Sequence, residues 1–165
     1  MNTIKLRPII TVEEKNTFVS EIQEAFQISY VSEFGEFEKQ VLPTEDIEES
    51  FNAKGAEAYI AEIGGERIGG AVIVIDDKTG YNSLHLLYVK SSAQNAGNGF
   101  KIWKAIEELH PETRIWETHT PYYDKRNIHF YVNRCGFKIV EFFNPKHKDP
   151  HQISESAGNI PKENN

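Results

Sequence analysis

The chain has 165 residues, 39% of them hydrophobic, a formal net charge of −7 and one cysteine. That length fits a single domain with its own core, and one cysteine excludes an internal disulfide. The acidity argues against a nucleic-acid partner, which draws on clustered Lys and Arg.

Ile4 to Ile10 reads as a first strand, and Thr11-Val12-Glu13-Glu14 as a capping box opening a helix. Phe18, Ile22, Ala25, Phe26 and Ser29 recur on one face of that helix. Between Val31 and Ser50 the acids Glu33, Glu36, Glu38, Glu45, Asp46, Glu48 and Glu49 face only Lys39. This stretch reads either as a solvated surface or as a lip that attracts cationic acceptors. Within it, Pro43-Thr44-Glu45-Asp46 opens a second helix with Thr44 as its cap. Two strands, Ala58 to Ile63 and Arg67 to Ile75, flank the hairpin pair Gly64-Gly65. A further strand, Ser83 to Val89, leads into Gln94-Asn95-Ala96-Gly97-Asn98-Gly99.

A helix follows from Phe100, with Ile102, Trp103, Ile106 and Leu109 as its buried stripe and Pro111 at its end. Arg114 to Thr120 is the next strand, parallel to the previous one because a helix separates them. Asp124 caps a short helix with apolar positions Ile128, Tyr131, Val132 and Cys135, ended by Gly136. Phe137 to Phe143 is the last strong strand. Residues 145–165 read as a polar tail in which only Gln152 to Ser156 could form a weak last strand. No internal repeat is present. The start Met1 to Arg7 lacks the apolar stretch of a signal peptide, and the longest purely apolar run, Ala71 to Ile75, cannot span a bilayer. A cytoplasmic chain with no membrane partner is expected, as a monomer or a homodimer.

The glycine-spaced loop carries the chemistry. Ending a strand and opening a helix, it presents free backbone N–H groups at the positive end of a helix dipole, a place for phosphate oxygens. Ile102 stands where a dinucleotide fingerprint has its third glycine, and a Gly-Lys-Ser/Thr P-loop is absent. The segment resembles the signature Gln/Arg-x-x-Gly-x-Gly/Ala of the GNAT superfamily of acetyl-CoA-dependent N-acetyltransferases, filled by Gln94, Gly97 and Gly99. Asn127-Ile128-His129-Phe130-Tyr131-Val132-Asn133-Arg134-Cys135-Gly136-Phe137 is similar to that superfamily's second signature. The resemblance spans Ile4 to about Phe143, so residues 1–144 are expected to form the domain.

The resemblance implies an α/β, three-layer fold: a mixed, mostly antiparallel sheet, helices on both faces, and a splayed parallel central strand pair near residues 83–89 and 114–120. It implies acetyl-CoA as co-substrate, with Gln94, Asn95, Ala96, Gly97, Asn98 and Gly99 on the pyrophosphate. Leu87 and Val89 would pair through their backbone with the pantetheine arm, and Asn127 would contact that arm. Tyr131 would give a proton to the departing thiolate. Asn95 and Ala96 depart from the Gly-Lys or Gly-Arg pair frequent in the family, and Ser91 from its proline. His85, Glu117 and His119 are the candidates for the base that deprotonates the acceptor. His85 stands where the arylalkylamine branch of the superfamily carries a strand histidine. The implied reaction moves acetyl from acetyl-CoA directly to a primary amine of a small molecule or peptide, with no acyl-enzyme. The competing readings are a non-catalytic acyl-CoA-binding or regulatory module on the same fold and a Rossmann-like nucleotide binder.

No metal is expected. Proline separates His147 from His151, and no carboxylate or cysteine cluster completes a site. Cys135 reads as a small buried residue.

Overall fold

The strands flanking Gly64-Gly65 start the sheet, because φ of 58° and 82° at those residues suits the tight turn whose twist matches a hairpin. In the computed structural model, residues 3–94, 96–121 and 124–140 are described. Strands β2 (Ala56–Ile63) and β3 (Glu66–Val74) form that hairpin, with β1 (Ile4–Pro8) antiparallel to β2 and β4 (Tyr81–Val89) antiparallel to β3. Strand β5 (Ile115–Thr118) pairs with β4 in parallel, giving a five-stranded sheet in the order β1-β2-β3-β4-β5. Helix α3 (Asn98–Leu109) makes the crossover that parallel pairing requires.

Both faces of the sheet are covered. Helix α1 (Val12–Phe34) and helix α2 (Thr44–Asn52) lie on one face, where Phe18, Ile22, Ala25 and Ile47 bury against Val72, Leu86 and Tyr88. On the other, Ile102, Trp103 and Ile106 of α3 bury against Ala71, Ile73 and Leu84, joined by Tyr131. Each such large apolar side chain contributes roughly 1.5–3 kcal/mol by leaving water. Burial on both sides explains why β3 reads as a continuous apolar run rather than an alternating one. Helix α4 (Lys125–His129) runs directly into a π-helical turn, Phe130–Arg134. This is the three-layer mixed sheet with a parallel strand pair that the resemblance implied.

Several local expectations hold. Thr11 and Glu14 form the reciprocal capping box, and Glu14 is held down at about 2 by its bond to Arg7 and by the backbone N–H groups of Ile10 and Thr11. Asp124 caps α4 by accepting from the Asn127 N–H at 3.0 Å.

Others need correction. Pro43 occupies the N-cap of α2 with no side-chain bond, while the Thr44 hydroxyl accepts from Gln23 Nε2 at 3.0 Å and ties α2 to α1. Leu109 is 43% exposed, because α3 ends there and His110 turns the chain toward Glu57. Phe137 to Val140 join no ladder: the Phe137 N–H goes back to the Tyr131 carbonyl at 2.9 Å, closing the π turn. The rest of that expected strand, the tail at 145–165, the stretch Gln152 to Ser156 and Asn95 lie outside the described residues.

Candidate active site

The site begins with an irregularity in β4. Its ladder with β3 pairs Val72 with Leu86 but Ile73 with Leu84, so His85 is left over as a bulge. The extra residue inverts the pleat: Leu84 buries on the α3 face and Leu86 on the α1 face. His85 reaches α2, its Nδ1 lying 3.3 Å from Ser50 Oγ. On its other edge β4 pairs with β5 from Tyr81–Ile115 to Leu84–Thr118 and no further. From Leu86 to Val89 the strand is therefore paired on its β3 side, and among the described residues no strand occupies the other. That open edge, which includes Leu87 and Val89, can add an extended partner through main-chain bonds.

Beyond the edge the chain folds back. The Lys90 N–H bonds the Ile68 carbonyl at 2.8 Å, Ser91–Ala93 form a 3-10 turn, and Gln94 Nε2 donates to the Val89 carbonyl at 3.0 Å. Asn98, 8% exposed, donates through Nδ2 to the Ala93 carbonyl at 2.8 Å. The side chains of Gln94 and Asn98 thus brace the loop, and what these residues offer a phosphate is backbone N–H. Gly97 has φ 73°, ψ 15°, a left-handed conformation that glycine adopts without strain, and it opens α3 with no side-chain cap. The first-turn N–H groups of α3 have no carbonyl within the helix to meet them. The two glycines differ: a Cβ at Gly97 would meet open space, whereas one at Gly99 would lie 3.2 Å from the Phe130 ring.

Tyr131 approaches from α4 and the π turn, whose wide winding is shown by the Cys135 N–H bonding Phe130 O at 3.1 Å. It is 7% exposed, and Asn127, one turn earlier, is half-buried. Burial pushes the Tyr131 phenol up, Cys135 and Asp124 act in the same direction, and a hydrogen bond with the Thr118 side chain opposes them. Thr118 in turn donates to the Leu84 carbonyl at 3.0 Å. The Tyr131 hydroxyl therefore stands at the last β4–β5 pair, where the two strands part.

The base candidates separate. His85 is the first β4 residue past that pair. Part of its ring still meets solvent, yet the surrounding protein desolvates it enough to lower its pKa, and His119 adds to the shift. His119 lies just past the end of β5, so the fold brings His85 and His119 together. Glu117 is exposed beside Ser83, in the paired part of the strands.

Three features escaped sequence reasoning. Ser50 is buried on α2 at helical spacing from Ile47, a small polar residue on an apolar face. Thr118 marks the strand fork. Glu21 accepts from Arg67 Nη2 and from the Tyr88 hydroxyl, each at 2.7 Å; burial pushes its carboxyl up, but these two bonds outweigh it and hold the group below its usual value. With Ser91 bonded to Glu24 at 3.3 Å, α1 anchors the end of β4 where β5 no longer does.

The acidic stretch is partly engaged. Glu48 pairs with Lys15 at 2.7 Å, while burial, Glu49 and Glu45 push Asp46 up. Glu33, Glu36 and Glu38 are exposed. Burial is also the main cause that raises Asp124, with the charge of Glu33 adding to it, and Arg126 reaches Ser29 at 3.4 Å. The C-terminal end of α1 therefore lies against α4. Burial raises the Cys135 thiol to about 12, which leaves it inert. Among the described residues no group of His, Cys, Asp and Glu gathers as a metal site, and no helix is long and apolar enough to cross a membrane. His147 and His151 lie outside them.

Comparison with known proteins agrees with this geometry. The uncharacterized protein YrkN of Bacillus subtilis (strain 168) is 49% identical over 135 residues, covering 81% of this chain and 73% of its own length. A Bacillus subtilis acetyltransferase solved in complex with CoA superposes with a TM-score of 0.62 at 19% identity, over 96% of this chain and 92% of its own. The PaiA N-acetyltransferase from Thermoplasma acidophilum, in complex with coenzyme A, gives 0.61 at 16% identity, over 85% and 92%. At such identities these structures speak for the fold. The model of the acetyltransferase (GNAT) family matches residues 19–137, which take in the bulged strand, the glycine loop and the Tyr131 turn, and the chain belongs to that family.

Proposed function

We propose that this chain transfers acetyl from acetyl-CoA directly to a primary amine of a small molecule or peptide. The observation that carries the reading is the parting of β4 from β5 after Leu84–Thr118, directly before the uncapped N-terminus of α3. The donor fits these residues: the strand edge at Leu87 and Val89, free but for the Val89 carbonyl that Gln94 holds, suits an amide-bearing arm, and the N–H groups of Gln94 and of residues 96–99 suit its pyrophosphate. We assign the side chain of Asn127, half-buried one turn before Tyr131, to the same arm. Both solved relatives described above hold coenzyme A, and one is an N-acetyltransferase, which supports the donor and the amine acceptor.

The chemistry asks two proton tasks of the protein. An ammonium has no lone pair, so a base must take its proton before nitrogen attacks the thioester carbon; His85, at the fork and favoured in its neutral form by the burial that lowers its pKa, fills that role. As the C–N bond forms and the C–S bond breaks, the nitrogen sheds its second proton to solvent and the thiolate leaves toward Tyr131. With its pKa raised, that phenol keeps its proton at neutral pH and offers a hydrogen bond to the sulfur. A thiol's ordinary pKa of about 8.5 makes the thiolate a fair leaving group, so much of the rate comes from alignment in the fork.

The test is release of free coenzyme A from acetyl-CoA by the purified chain over a panel of polyamines, arylalkylamines and peptide N-termini. Turnover with at least one amine is expected. Tight donor binding without turnover across the panel would favour a non-catalytic acyl-CoA module.

A further inference from the structure

Among the described residues three polar side chains are buried: Ser50, Asn82 and Asn98. Two serve the backbone around them. Asn82 accepts from the Asp76 N–H and donates to Thr113, fixing the turn before β4, and Asn98 holds the Ala93 carbonyl of the glycine loop. Ser50 is different. It sits on the apolar face of α2, one turn from the fully buried Ile47, where alanine would pack at no cost in desolvation. Its side-chain partner is His85 Nδ1, at 3.3 Å.

A neutral imidazole has one N–H and one lone pair, and a second group decides which nitrogen carries which. The hydroxyl of a helical serine can turn its own proton to the carbonyl four residues back, leaving its oxygen free to accept. We propose that Ser50 is a positioning residue that accepts the Nδ1–H of His85, so that the lone pair of Nε2 is held toward the fork between β4 and β5. The bulge puts His85 within reach of α2, and the serine fixes the tautomer a base needs. This rests on the reading of His85 as the base.

The experiment is 15N NMR on full-length, histidine-labelled protein, which reads the tautomer without turnover, run beside steady-state kinetics on an amine the parent acetylates. The parent should show His85 protonated at Nδ1. Ser50→Ala should shift that ring toward the other tautomer and lower kcat about 3- to 10-fold, the value of one hydrogen bond, with the KM for acetyl-CoA unchanged. Ser50→Thr, which keeps the hydroxyl, should restore both. Ser50→Cys, of near-equal volume, replaces the alanine variant if that one is unstable. An Nε2-protonated His85 in the parent, or an unchanged tautomer in both Ser50→Ala and Ser50→Cys, overturns the role of Ser50 and leaves the base assignment standing. Full activity of His85→Gln overturns the base assignment itself.

Discussion

The hydroxyl of Tyr131 is the smallest change that tests the proposed chemistry. Tyr131→Phe keeps the ring against Phe137 and Trp103's cluster, and Thr118 keeps its bond to Leu84. Melting temperature should stay nearly constant while kcat falls about 10²-fold, the lower end for a lost proton donor, as read by coenzyme A release. Equal kcat across pH would return Tyr131 to a packing role. The two loop glycines make a second contrast. Gly97→Ala has room but must adopt φ 73°, costing on the order of 1–2 kcal/mol locally, and calorimetry should show acetyl-CoA affinity falling roughly tenfold or more. Gly99→Val drives a methyl-bearing Cβ into Phe130, so its main effect is lost stability of about 1–3 kcal/mol in denaturant titrations. A tyrosine on an apolar stripe and a glycine beside a helix are both readable in sequence. Which ring the glycine touches is not, since Phe130 arrives from 31 positions away by a π turn that no periodicity announces.

The end of α3 is tied to the hairpin by His110, whose Nε2 lies 2.8 Å from Glu57 and Nδ1 3.1 Å from Glu112. Burial alone would lower this imidazole's pKa, but the hydrogen bonds its ring donates to Glu57 and Glu112 win and raise it. A histidine whose folded pKa is raised stabilises the fold fully below its unfolded value, near 6.5, and loses that contribution as pH rises through the folded value. Urea midpoints of the parent and His110→Gln should therefore differ more at pH 5.5 than at pH 9. The difference should be on the order of 1 kcal/mol at the lower pH. A gap that grows toward alkaline pH would contradict the sign. On β4, the element-level device is substitution of anchors: where the β5 ladder ends, Tyr88, Ser91 and Gln94 fix the strand through Glu21, Glu24 and the Val89 carbonyl.

Across the whole molecule the charge of −7 creates an attractive field for cations. We propose that the exposed Glu33, at the end of α1 that meets α4, and Glu36 and Glu38 just past that end steer a cationic acceptor toward the fork. Charge reversal of Glu36 and Glu38 together should raise the KM for a cationic amine several-fold and leave that for acetyl-CoA nearly unchanged. Added salt should act in the same direction, because screening sets in beyond a Debye length of about 8 Å at physiological ionic strength. Neutral amines outperforming cationic ones at low salt would return the stretch to solvated surface.

The sequence by itself determined what depends on neighbours along the chain: the capping box at Thr11, the hairpin at Gly64-Gly65, the strand-loop-helix unit at 83–109 and the short helix capped by Asp124. Local hydrogen bonding and hydrophobic period carry that information, and two short signatures sufficed to name the family. Only the tertiary structure decided what depends on register. A bulge at His85 is one residue of slippage against β3, and the ladder with β5 ends where Leu84 meets Thr118. Neither leaves a mark in composition or spacing, because a strand's alternation reads the same whichever residue its partner skips. Those two choices set which side of the sheet His85 faces, bring Ser50 to it, and open the edge on which the proposed chemistry depends.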